Sequence, residues 1–141
     1  MKLLFIACFS MLSFTTFACT DFSGKYLDEG MGDEYEIFQE KCETLTVKGG
    51  EDRHFGFSSV MDGKLRVTSL DNDAKVSASA MMSDSGDVLT IVYMFEGIKS
   101  SKQDVRLEMV CKKLENGDVD INMSVIDSEG RQSGTIIFKK L

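Results

Sequence analysis

Histidine is the scarcest of the side chains that could do chemistry: His54 is the single one in 141 residues. A Ser-His-Asp or Cys-His mechanism would have to use it, and a metal site built on several histidines is excluded. Its neighbours Asp52, Arg53 and Phe55, with Gly49, Gly50 and Gly56 close by, describe a polar, glycine-flanked loop in which a solvated histidine is expected. No G-x-S-x-G elbow, phosphate-binding glycine loop, H-E-x-x-H or C-x-x-C occurs. Carboxylates gather at Asp28, Glu29, Asp33, Glu34 and Glu36, around Gly30 and Gly32, and again at Asp71 and Asp73. Calcium uses oxygen clusters of this kind, but neither stretch has the glycine and terminal-glutamate spacing of an EF-hand loop. Solvated acidic turns are expected instead. With no catalytic pair, no metal site and no cofactor motif, an enzyme is not expected.

Cysteine carries more information. The chain opens Met1-Lys2, runs through an apolar stretch from Leu3 to Phe14, and reaches the small-x-small sequence Thr16-Phe17-Ala18. That order of basic, apolar and small residues reads as an export signal over residues 1–18, with cleavage after Ala18. The apolar stretch falls short of the roughly 20 residues of a spanning helix, and no second apolar run follows, so no membrane span is expected. Cys8 leaves with the leader, and residues 19–141 keep Cys19, Cys42 and Cys111. An oxidising compartment favours pairing, and three is odd. Cys111 is in phase with Val105, Leu107 and Met109, which makes it a buried, inward thiol. Parity leaves one bridge with a spare thiol, an intermolecular bridge, or chemical use of one cysteine; the reading favoured is a Cys19–Cys42 bridge, clipping the new N-terminus to an early strand, with a stabilisation of about 2–4 kcal/mol. The alternative is a lipid on Cys19, as on a bacterial lipoprotein, with Cys42 and Cys111 as the bridge. Of the lipobox positions before Cys19, only Ala18 fits.

Loss of the leader removes Lys2 and no acid, taking the formal charge from -7 to -8. Lys and Arg are scattered among more numerous Asp and Glu, with no basic stripe to neutralise phosphates, so nucleic acid is not an expected partner. The location expected is secreted or periplasmic, with an outer-membrane lipoprotein as the alternative. Residues 19–141 are enough for a single domain with its own core.

The elements that must position these residues are strands. Val119, Ile121, Met123 and Val125 alternate with Asp118, Asp120, Asn122 and Ser124; Val105, Leu107, Met109 and Cys111 alternate with Arg106, Glu108 and Lys112. Leu45 and Val47, and Leu65 and Val67, repeat the period of two. Turn residues fall between the runs at Asp62-Gly63, residues 71–73, Ser85-Gly86-Asp87, Asn116-Gly117 and Glu129-Gly130. Asn116-Gly117 predicts a type I′ hairpin. The run Val88 to Phe95 is apolar on both faces and marks the centre of the sheet. Lys48 to Phe57 reads as a longer loop. The fold expected is all-β, a single antiparallel up-and-down meander of eight or nine strands forming a closed or nearly closed barrel, with a β-sandwich as runner-up.

Val76, Ala78, Ala80 and Met82 form a strand whose inner side is mostly small. Tyr93, Phe95, Leu107 and Met109 face them from other strands. Small residues opposite large ones either leave a cavity or fit the taper of a small barrel. The N-terminal stretch Cys19-Thr20-Asp21-Phe22-Ser23-Gly24-Lys25-Tyr26 resembles the opening of lipocalin-like, calycin-type proteins, in which a Gly-x-Trp on the first strand plugs the closed end of the barrel. Tyr26 stands where Trp would be. The Asp62-Gly63-Lys64-Leu65 hairpin and the meander to Leu141 are similar to the broader superfamily that includes fatty-acid-binding proteins, although no room exists for two helices after the first strand. The resemblance implies a barrel that binds a small apolar molecule, with Tyr26 at the plug.

Two functions follow as expectations. One is an exported barrel holding a small apolar ligand among Tyr26, Val76, Ala78, Ala80, Met82, Tyr93, Phe95, Leu107 and Met109. The other is an envelope or extracellular interaction module with a filled core, working through the outer face of Val88, Val92 and Met94.

Overall fold

Ten strands follow one another along the chain in the computed structural model, which describes residues 18–50, 55–70, 74–97 and 104–141. The expected leader up to residue 17, His54 and the acidic turn at 71–73 lie outside the described residues. The strands are β1 (Gly24–Asp28), β2 (Asp33–Glu40), β3 (Thr44–Gly49), β4 (Phe57–Val60), β5 (Arg66–Leu70), β6 (Ala74–Met82), β7 (Val88–Gly97), β8 (Val105–Lys113), β9 (Val119–Asp127) and β10 (Gly130–Lys140). All pair antiparallel in one sheet, in the order β4-β3-β2-β1-β10-β9-β8-β7-β6-β5. The first strand therefore pairs with the last, through Tyr26–Lys140, Leu27–Lys139 and Asp28–Phe138, and the sheet curls into a barrel.

The seam lies between β4 and β5. There Asp62 bridges to Met81 and the Gly63 amide donates to the Ala80 carbonyl at 2.9 Å, so the barrel is nearly closed. It is one sheet rather than the two packed sheets of a sandwich. Ten strands rather than eight or nine are present because β4 is only four residues long, too short to register as a period in the sequence.

The period of two places the core. Val76, Ala78 and Ala80 of β6, Leu89, Ile91 and Tyr93 of β7, Leu107 and Cys111 of β8, and Val119 and Ile121 of β9 all point inward and are buried in one apolar cluster. Cross-strand register keeps these faces matched, with Ala78 opposite Tyr93, Tyr93 opposite Leu107 and Cys111 opposite Ile121. A slip of one residue would send every one of these side chains to solvent.

Antiparallel order gathers alternate connections at opposite ends. At one end lie the N-terminal segment, the β2–β3 turn, the β6–β7 and β8–β9 turns and the C-terminus. This end is shut. Phe22 is fully buried there, the Tyr26 hydroxyl donates to the Phe22 carbonyl at 2.8 Å, and the disulfide joins Cys19 to Cys42 in the β2–β3 turn. Gly24 is required by this packing. Its φ is +154° and the Tyr26 hydroxyl sits 3.3 Å from where a Cβ would be, so Gly-x-Tyr works as a unit in which the ring folds back over the glycine.

Two local expectations are corrected. The β8–β9 connection is not a type I′ turn: only Gly117 has positive φ, the Gly117 amide donates to the Leu114 carbonyl at 3.0 Å, and the Leu114 amide donates to Asp118 at 2.8 Å. That is a turn ending in a left-handed glycine, the three-residue hairpin solution. Asn116 prefers to use its side chain, whose Oδ1 accepts from the Asp118 amide at 3.0 Å. Second, Asp28 is not solvated. It is 5% exposed, and its Oδ1 accepts from the Gly30 and Met31 amides at 2.9 and 3.3 Å, so the carboxylate builds the β1–β2 turn.

Candidate ligand cavity

The strands leave a hole in the middle. A cavity of about 350 Å³ lies inside the barrel, extending from Phe22 at the shut end to Asp28, Gly30 and Met31 at the other. Its walls come from β2 (Tyr35, Ile37), β7 (Leu89, Ile91, Tyr93), β8 (Leu107, Met109, Cys111), β9 (Val119, Ile121, Met123) and β10 (Ile136, Phe138), with Val47 and Phe55 completing the lining.

Aromatic rings set its shape. Tyr93 meets Phe55 edge-on at 5.3 Å and Phe57 edge-on at 5.6 Å, and its hydroxyl donates to the Phe55 carbonyl at 2.8 Å. Elsewhere in the lining Tyr35 stacks on Phe138 at 4.9 Å. The Tyr93 bond satisfies the polar end of an otherwise apolar ring and pins it. The lining thus consists of rigid aromatics together with the pliable thioethers of Met109 and Met123.

The mouth follows from unequal strand lengths. β1 has five residues and β10 has eleven, and β10 pairs with β1 only through its last turn of sheet, Phe138 to Lys140. Where β1 stops, the wall stops. The cavity lining is buried or half-buried everywhere except Gly30 and Met31, and Met31 is 77% exposed. The β1–β2 turn is therefore the lip of the cavity.

Among the described residues no charged side chain lines the body of the cavity, and Asp28 stands at its lip. Burial pushes the Cys111 thiol up to about 12, and the thiol is free and 4% exposed. Burial first, and then the neighbouring Cys111 and Tyr35, hold the Tyr93 hydroxyl far above its usual value. Both stay neutral at physiological pH, and Cys111 behaves as the small buried hydrophobe its strand phase indicates rather than as a nucleophile, which would need an electropositive, exposed setting. Among the described residues no group of three or more histidine, cysteine or acidic side chains is placed to hold a metal ion.

Of the residues singled out from the sequence, Tyr93, Leu107 and Met109 line the cavity. Tyr26 is fully buried below it, at the plug. Val76, Ala78 and Ala80 are buried in the same core without lining it, and Met82 and Phe95 pack partly buried against that core. Small side chains on β6 let the barrel wall come close to its neighbours. The space itself opens beside β8, β9 and β10, and the alternation of Leu107, Met109, Cys111, Ile121 and Met123 did reveal the inward faces of β8 and β9. Asp28, Met31, Phe55 and the Tyr35–Phe138 stack carry no signal in a linear pattern, because turns and cross-barrel contacts bring them together.

The outer face of β7 differs from the exposed surface expected of it. Val92 is 8% exposed, and Val88 and Met94 are half-buried. In the register Ser79 and Glu108 flank Val92, and Ser77 and Arg106 flank Met94. Arg106 and Glu108 approach each other at 3.7 Å across this face. Comparison of the chain with protein-family models, with curated proteins and with solved structures finds no match. No helix among the described residues is long and apolar enough to cross a membrane.

Proposed function

We propose that this protein is an exported, non-catalytic carrier or sensor that holds a small apolar molecule inside its barrel. The observation that carries the reading is the cavity: about 350 Å³, lined by aromatic, aliphatic and thioether groups and reaching solvent at one lip. Volumes of roughly 300–1,000 Å³ with a few convergent polar groups are those of small-molecule sites. A core of this size that was meant only to be stable would lose dispersion contacts along every wall of such a hole. The Cys19–Cys42 disulfide fits an oxidising compartment and supports export, as do the apolar N-terminal residues. The Gly24 and Tyr26 packing at the shut end supports a lipocalin-like relationship, with Tyr in the plugging position.

The interaction-module reading requires a filled core and an exposed apolar strip on β7. The cavity and the burial of Val92 favour the carrier.

Two measurements test the proposal. The native mass of the protein from its own source should exceed the mass of its polypeptide, with the increment lost on denaturation. Met109→Trp places a large side chain into the hole and should abolish that increment while leaving the far-ultraviolet spectrum of the barrel intact. A bare polypeptide mass, together with no uptake of any apolar probe by the purified protein, would remove the carrier reading.

A further inference from the structure

Among the described residues the lining holds one carboxylate and no basic side chain. Among the described residues that line the cavity there is no lysine, arginine or histidine, and the single carboxylate is Asp28 at the lip. Arg66, near the seam, is held by both its terminal nitrogens on the two oxygens of Asp62 at 2.7 Å and is not among the described lining residues. An acidic ligand drawn into this cavity would bring its carboxylate beside the like charge of Asp28 and meet no countercharge among the described lining residues. Burying an unpaired charge is strongly unfavourable. An ammonium group meets the opposite situation, because Asp28, itself 5% exposed, lines the mouth next to the exposed Gly30 and Met31, where an apolar body entering the cavity would leave its head. Gly30 and Met31 both bond the same oxygen of Asp28, Oδ1, and a carboxylate accepts at two. The formal charge of -7 over the whole chain adds a field of the same sign as this local preference.

Resting on the carrier reading, we propose that the cavity takes an apolar molecule with an amine head group, its ammonium seated on Asp28, and discriminates against carboxylate-bearing lipids of the same length. Asp28 is then the specificity-determining residue, and the aromatic and thioether walls bind the apolar body without regard to the head.

The test is titration calorimetry at neutral pH with dodecylamine, dodecanol and dodecanoate, each below its micelle concentration, on the protein as exported. The amine is expected to bind about tenfold or more tighter than the alcohol, as a charge-assisted contact requires, with the carboxylate weakest. Asp28→Asn keeps an oxygen for the Gly30 and Met31 amides and so preserves the turn. It should bring the amine down to the level of the alcohol and leave the alcohol unchanged. Equal or tighter binding of the carboxylate overturns the head-group proposal while leaving the carrier reading in place. An amine preference that survives Asp28→Asn overturns the role of Asp28. Absence of binding by all three removes the carrier reading itself, and the head-group proposal with it.

Discussion

The shut end and the open end of the barrel are made by the same ten strands, yet they are finished in different ways. At the shut end the chain before β1 is tied down by side chains reaching backbone groups. The Gln39 amide donates to the Thr20 and Lys41 carbonyls at 3.0 and 2.7 Å and accepts from the Phe22 amide at 3.1 Å, while the Thr20 amide donates to Gly86 at 2.7 Å. Lys113 donates to the Asp21 carbonyl, and Asp118 accepts from the Lys140 amide at 2.9 Å. At the open end Asp28 holds its own turn and little else, leaving Met31 in water. Irregular chain can be buried only where its backbone groups find partners. Among the described residues the shut end supplies them and becomes a floor, whereas the β1–β2 turn at the open end is held by its own Asp28 and forms a lip.

The largest effect in this comparison is expected from Tyr26→Ala. It removes a fully buried ring and the hydroxyl that holds Phe22, at a cost of about 3–5 kcal/mol, read as the shift in the urea unfolding midpoint. If Tyr26→Ala were no more harmful than a surface change, the floor would not depend on the Gly24–Tyr26 unit. Next comes the disulfide. Replacing both Cys19 and Cys42 by serine opens a loop with sequence separation 23, and should lower stability by about 3 kcal/mol. Amide exchange should rise first at Thr20, Phe22 and Gly86, whereas Gly30 and Met31 should be unaffected.

Acid should also distinguish the ends. The carboxylates held below their ordinary range are Asp21, by Ser23 hydrogen bonds, Asp62, by the Arg66 guanidinium, Asp87, by the Ser85 and Ser83 hydroxyls, and Asp118, by the Lys140 amide. All four lie at the shut end. Because folding lowers each below its ordinary value of 3.8, their stabilisation is complete above that pH and is lost as pH falls through the depressed values. Melting temperature should therefore hold level from neutral pH down to the mid-fours on this account and drop below about 3.8, with exchange protection failing at the floor before the mouth. Asp118→Asn should flatten part of that drop.

The smallest effect is expected at the lip. Met31→Ala changes an exposed side chain, so the unfolding midpoint should move by no more than about 0.5 kcal/mol. Dissociation of an apolar probe should nevertheless accelerate, since Met31 lines the mouth. A large loss of stability from Met31→Ala would mean that the lip is part of the core.

The strands and their inward faces were legible because a period of two is a local property. Val105, Leu107, Met109 and Cys111 announce both a strand and the side it buries, and the positions of Gly86 and Gly117 announce where it must turn. Cysteine parity left the Cys19–Cys42 bridge favoured beside a lipidated Cys19 with Cys42 paired to Cys111, and the structure shows the first. The type of the β8–β9 turn was not, since Asn116 can satisfy the chain either by positive φ or by a side-chain bond, and the flanking strands decide which. Gln39 was invisible as a tie. Its neighbours in sequence give no hint that Thr20 and Phe22 lie within reach.

The amino-acid sequence by itself determined an all-β meander, the faces of its strands and a reducible clip at its beginning, because alternation, turn chemistry and cysteine count act over a few residues or by simple number. Only the tertiary structure decided where the sheet closes, that β1 is too short to wall off β10, and that Asp28, Met31, Phe55 and Phe138 surround one space. Those outcomes depend on cross-strand register and strand length summed around the whole barrel, and no single segment contains that sum.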